Sequence, residues 1–168
     1  NRTTSSLILG RFIEFILISL TIFTPLAFGT TQPWSILVFK TAVLVMFLSW
    51  LSGIFTEKQL FIRKTSLYLP PLLFVLFVLF QLMPLSAPIM KILSPNTYKI
   101  HNSVVSLLHT SQNFTLTLNN HLTWEELVKF ICYFLVFFLT VNRIKTIRQV
   151  NLLFGTVLIL GFLISLFA

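Results

Sequence analysis

Apolar residues in this chain gather into five long runs, at about 11–28, 34–55, 67–85, 124–142 and 150–168. Short polar segments separate them, with one long exception at 86–123. Runs of roughly 17–25 apolar residues match the length at which an α-helix crosses a bilayer, where backbone N–H and C=O groups find no water and must pair within the segment. The strict period-2 alternation that a membrane barrel needs is missing. The pattern predicts an all-α integral membrane protein of about five transmembrane helices, forming a single membrane domain.

Local signals set the ends of these helices. The first run closes in the turn-prone stretch Thr24-Pro25-Leu26-Ala27-Phe28-Gly29, and the third tolerates Pro70 and Pro71 in its first turn and ends at Gln81-Leu82-Met83-Pro84. Thr123 and Glu126 have the three-residue separation of a capping box and are expected to open the fourth helix. Within the long connection, Ile100, Val104, Leu107 and Leu108 recur at helical spacing. They predict an interfacial helix from Pro95 to His109, with Ser94 as its N-cap and Pro95 at its first position. Phe114, Leu116 and Leu118 alternate with polar residues, which predicts a short extended piece. Gly161 and Ser165 form a small-xxx-small pair suited to a close helix contact. A chain that starts at a residue other than Met and stops flush with a helix is expected to be a fragment of a longer polytopic protein.

Composition supports the membrane reading: 56% of the residues are hydrophobic, 10% are charged and 19 are Phe. With a mean hydropathy of +0.93, there is too little polar surface to coat a water-soluble globule. The net charge of +8 does not form one solvated patch, so it excludes nucleic-acid binding in favour of topology and contact with membrane lipids. Arg2 and Arg11 precede or open the first run. Lys58, Arg63 and Lys64 lie between the second and third, and Arg143, Lys145 and Arg148 lie between the fourth and fifth. By the positive-inside rule the N-terminus is cytoplasmic and residues 86–123 are extracytoplasmic. Trp34 and Trp124 then both fall at the outer interface. The first run resembles a signal peptide, but it lacks a small-x-small cleavage site and reads as a retained helix.

Ionisable groups inside a bilayer are costly, which makes Glu14, Lys40 and Lys129 the intramembrane candidates. Each also has a plainer role. Arg11–Glu14 and Glu125–Lys129 have the i,i+3 and i,i+4 spacings of ion pairs, and Lys40 lies near enough to Trp34 to snorkel. In the long connection, Lys91, Lys99 and His101 form a cationic group beside the expected interfacial helix. They suit lipid headgroups first and a lipid-linked pyrophosphate second. The spacings of His101, His109 and His121 match no metal motif, and the lone Cys132 permits no disulfide or metal pair. Asn113-Phe114-Thr115 fits a glycosylation sequon. No catalytic residue, metal site or cofactor is read from the chain.

Three stretches carry a family resemblance. Thr24-Pro25-Leu26-Ala27-Phe28-Gly29-Thr30-Thr31-Gln32-Pro33-Trp34-Ser35 resembles the N-terminal region of the bacterial O-antigen ligase and polymerase-like membrane proteins. Gln81-Leu82-Met83-Pro84-Leu85-Ser86, followed by Ile92-Leu93-Ser94-Pro95-Asn96-Thr97-Tyr98, resembles the family's third-span exit and loop. The stretch from Thr123 to Arg143 resembles its Thr-capped span with a basic exit. The resemblance implies a location in the bacterial inner membrane. It implies transfer of a glycan from an undecaprenyl pyrophosphate carrier, at the outer face, to lipid A core or another glycan chain. Relatives of this kind carry their catalytic Arg and His residues in a large loop beyond the region resembled here, so none maps onto this chain. The alternative is a non-catalytic subunit or scaffold that packs its Phe-rich helices against other integral membrane subunits.

Overall fold

A computed structural model of the chain describes residues 4–27, 32–57, 63–108, 114–144 and 146–167. Phe28 to Thr31, Lys58, His109, Asn113 and Lys145 lie outside the described residues. Among the described residues every regular element is helical: α1 (Thr4–Leu26), α2 (Pro33–Glu57), α3 (Leu69–Leu82), α4 (Ala87–Leu93), α5 (Pro95–Leu108), α6 (Asn120–Arg143) and α7 (Ile147–Phe167), with a 3-10 turn at Ser66–Tyr68. Among the described residues three helices are long and apolar enough to cross a membrane, over Ile8–Leu26, Pro33–Phe55 and Ile147–Leu166. The described residues therefore form an all-α fold whose long apolar helices fit a membrane-embedded protein.

The chain divides into two compact units, residues 1–65 with 132–168, and residues 66–131. In the first unit, Ile13 and Leu17 of α1, Met46 of α2 and Leu139 of α6 form one buried cluster. Leu20, Phe39, Val43 and Cys132 form another. Lipid tails are as apolar as these side chains, so close fit rather than escape from water selects their partners. Aromatic edges supply part of that fit: Trp50 stands edge-on to Phe138 at 5.2 Å and stacks on Phe47 at 5.9 Å. α7 contributes no fully buried side chain, and a Cβ added at Gly155 or Gly161 would meet nothing within 4 Å. The close contact expected at Gly161 is thus not made within the described residues.

The second unit departs further from the sequence expectations. The third run forms a helix of 14 residues preceded by the 3-10 turn at Ser66–Tyr68, and it ends at the expected exit, where Met83 adopts the extended conformation that a following proline imposes, at ψ 136°. Residues 87–93, expected to be loop, form α4, with Pro88 in the first turn and Ser86 at the cap position. Ser94 then closes α4, its N–H donating to Met90 O at 2.9 Å, and opens α5, its carbonyl accepting from Tyr98 N at 3.0 Å. Its hydroxyl donates to Thr97 Oγ1 at 2.8 Å. The expected cap at Ser94 and first position at Pro95 are in place, and α5 is described through Leu108. The side chains of Val104 to Leu108 lie outside the described residues.

Residues 114–118 do not form an extended strand. Phe114 pairs once with Leu85, whose N–H donates to its carbonyl at 2.6 Å, and the chain then bends. The hydroxyl of buried Thr115 lies 2.9 Å from both Thr117 O and Asn120 Oδ1. With these contacts α6 starts at Asn120, four residues before the expected start at 124. Asn119 is the cap, its Oδ1 accepting from Leu122 N at 3.1 Å, while Thr123 lies inside the first turn and shares a 2.6 Å hydrogen bond with Thr117. Asn outranks Thr as an N-cap, and the upstream hydroxyls complete its shell.

Candidate functional site

Lys91 and His101, two of the three residues singled out as a group in the long connection, meet at one aromatic pair. Tyr98 and Phe114 lie 5.2 Å apart between ring centroids, and the Leu85–Phe114 bridge holds Phe114 in place. Nζ of Lys91, in the last turn of α4, sits 4.9 Å above the Tyr98 ring, a cation–π distance. His101, one turn beyond Tyr98 on α5, presents its ring edge-on to Phe114 at 6.3 Å. Its Nε2 is buried without a hydrogen-bond partner. That nitrogen is sealed from solvent and is not offered to a surface ligand as acid or base. Lys99 is exposed on the same helix, and no described contact joins its ammonium to the ring pair.

Among the described residues the arrangement is a basic and aromatic surface, with Lys91 over Tyr98 and His101 against Phe114. It can attract an anionic headgroup and lay an apolar or sugar face against the rings. His121 does not join it. That residue stands exposed in the first turn of α6 with Nδ1 3.8 Å from Glu125. Among the described residues no three His, Cys, Asp or Glu side chains are grouped to hold a metal.

The intramembrane candidates separate in the structure. Lys129 pairs with Glu126 rather than with Glu125, an i,i+3 contact in place of the expected i,i+4 one. Glu14 reaches across to α7 instead of along its own helix to Arg11: its Oε2 accepts from Nε2 of Gln149 at 2.9 Å. Arg143, at the end of α6, lies against Gly10 one turn before Glu14, where any Cβ would overlap its guanidinium. Lys40 is half-buried on α2. Tyr98, Phe114, Arg143 and Gln149 are the residues that sequence reasoning did not assign to sites. Gln149 had a visible signal, a polar side chain one position before a long apolar run.

Near Arg143, Asn142 is buried and accepts the backbone N–H of Arg63 at 2.8 Å, while its own amide donates to Phe138 O at 2.8 Å. The basic segments that follow α2 and α6 therefore meet at one end of the first unit. Trp34 marks another level of that unit, exposed and edge-on to Phe23 at 6.0 Å. Compared with known protein families, curated proteins and solved structures, the chain matches none.

Proposed function

We propose that this chain is a membrane part of an envelope glycan ligase or polymerase and that its α4–α5 surface holds the anionic headgroup of a lipid-linked glycan, undecaprenyl pyrophosphate being the carrier the resemblance implies. The observation that carries this reading is the seating of Lys91 on Tyr98, with His101 locked to the same aromatic pair and Lys99 exposed on the same helix. Cations beside aromatic rings fit a pyrophosphate with an adjoining sugar better than a bare phosphate. The three quoted stretches supply the link to glycan transfer. The chain itself provides binding and not bond chemistry.

Five crossings belong to the same proposal, with the N-terminus cytoplasmic and residues 86–123 on the outer side of the bacterial inner membrane. The hydrogen bond from Arg63 to Asn142 supports it, because a chain that returns to the same face must cross an even number of times between them. The 3-10 turn and α3 together reach about 27 Å, close to a hydrocarbon core of about 30 Å, and the 24 residues of α6 reach about 36 Å. In a Cys132→Ala background, single cysteines at Lys99, Arg63 and Arg148 should divide. An impermeant maleimide added to intact cells should label position 99 and spare the other two, and the opposite pattern rejects the orientation. For the site, purified protein in nanodiscs should bind a prenyl pyrophosphate, and Lys91→Ala with Lys99→Ala should weaken binding about tenfold. Unchanged binding rejects the headgroup role.

A second reading has its own support. α7 turns apolar side chains outward along its length, with open space at Gly155 and Gly161, as a helix would that packs against another integral membrane subunit in a scaffold. Binding of the prenyl pyrophosphate separates the two readings.

A further inference from the structure

Four exposed cations, Arg11, Arg63, Lys64 and Arg148, are gathered at one end of the first unit by contacts that neighbouring groups in the chain make. Asn142, buried at the exit of α6, accepts the N–H of Arg63 at 2.8 Å, which sets Arg63 and Lys64 beside that exit. The next residue, Arg143, lies against Gly10, the neighbour of Arg11. On the other side of the turn, Thr146 and Gln149 cap α7 reciprocally. The N–H of Thr146 donates to Gln149 Oε1 at 3.2 Å, and the N–H of Gln149 donates to Thr146 Oγ1 at 3.4 Å. Gln149 also donates through Nε2 to Glu14 of α1 at 2.9 Å, so Arg148 is held to the same end. Among the described residues none of these four cationic side chains is in an ion pair, and Glu14, the one acidic side chain described in this unit, is engaged by Gln149. Arg148 is the second residue of the crossing stretch Ile147–Leu166, and Arg11 lies about 5 Å along Ile8–Leu26. Charges at that level meet phosphate rather than hydrocarbon.

We propose that this end of the first unit binds an anionic phospholipid whose two phosphates are joined by a glycerol, the cardiolipin type, independently of any role for the α4–α5 surface. Arg63 and Lys64 are adjacent on the segment before α3, and Arg148 opens α7, so cations stand on both sides of the α6 exit. Each side can take one phosphate. An exposed guanidinium receives phosphate oxygens in a forked geometry, and a neighbouring ammonium adds a point charge. A headgroup with one phosphate would leave one side uncompensated, and a zwitterionic headgroup would bring a further cation into a group already short of acid. Basic groups between membrane helices suit such a doubly charged headgroup. Phe12 and Ile147, exposed beside Arg11 and Arg148, offer apolar surface to the acyl chains. The bound lipid would span the segment before α3 and the start of α7, which Asn142 and Gln149 already bring to one end.

The test uses the full chain in mild detergent, offered equal amounts of cardiolipin, phosphatidylglycerol and phosphatidylcholine and read by native mass spectrometry. Cardiolipin should be retained roughly fivefold over phosphatidylglycerol, the ratio that one further contact between a phosphate and a cation at a lipid surface supplies, and more strongly still over phosphatidylcholine. Arg63→Gln with Lys64→Gln, and separately Arg148→Gln, should each bring cardiolipin down to the level of phosphatidylglycerol. All three positions are exposed, so helix content by circular dichroism should be unchanged. These variants leave the acyl chains' share of binding untouched, and the change reads the headgroup alone. Lys91→Ala with Lys99→Ala removes comparable charge from the second unit and should leave the ratio as it is. Equal retention of cardiolipin and phosphatidylglycerol by the unmodified chain overturns the proposal. So does a preference that survives the substitutions at 63, 64 and 148, or one that Lys91→Ala with Lys99→Ala abolishes.

Discussion

Ile13, Met46 and Leu139 in the first unit are sealed by apolar neighbours from three helices, whereas buried Thr115 in the second is held against a backbone carbonyl and a side-chain amide oxygen. The first arrangement holds by fit in a solvent as oily as itself. The second holds by hydrogen bonds that water would otherwise compete for. Damage to the two units should therefore differ in size and in kind.

The largest loss is expected from Leu139→Ala, which opens a cavity where the side chain is fully buried. It should cost roughly 2 kcal/mol, the low end of the range for such truncations because lipid already matches the apolar environment. Thermal unfolding in detergent checks it. Asn142→Ala removes the acceptor for Arg63 N and leaves that donor short of a partner, at about 1–2 kcal/mol, with proteolysis of the segment before α3 as the local readout. In the second unit, Asn119→Ala should cost about 1 kcal/mol as a lost N-cap. Faster hydrogen exchange should be confined to the first turn of α6. Smallest of all, Lys91→Met should change global stability by less than about 0.5 kcal/mol, since an exposed cation–π contact is weak. If Leu139→Ala proved milder than Asn119→Ala, the contrast between fit and hydrogen bonding would fail.

The same contrast explains what was legible in the sequence. α1, α2 and α7 followed from the length of their apolar runs, and Pro70, Pro71 and Pro95 marked helix starts. Which side of α1 packs was not legible, since Phe12 and Phe15 are exposed while Ile13 is buried and all three are equally apolar. Glu14 was singled out, but not its partner, because a contact between positions 135 residues apart leaves no local pattern. The capping box at Thr123 satisfied the spacing rule, yet Asn119 took the cap because Thr115 and Thr117, placed by the Leu85–Phe114 pairing, completed a polar turn upstream. Ser86 with Pro88 carried the signal for α4, overshadowed by the stronger one at Ser94 and Pro95.

Ser94 serves as the last residue of one helix and the entry to the next, so no slack chain lies between α4 and α5. Only the two backbone torsions of that residue separate the pair, and its hydroxyl is tied to Thr97. The two helices thus behave as a lever on a one-residue joint.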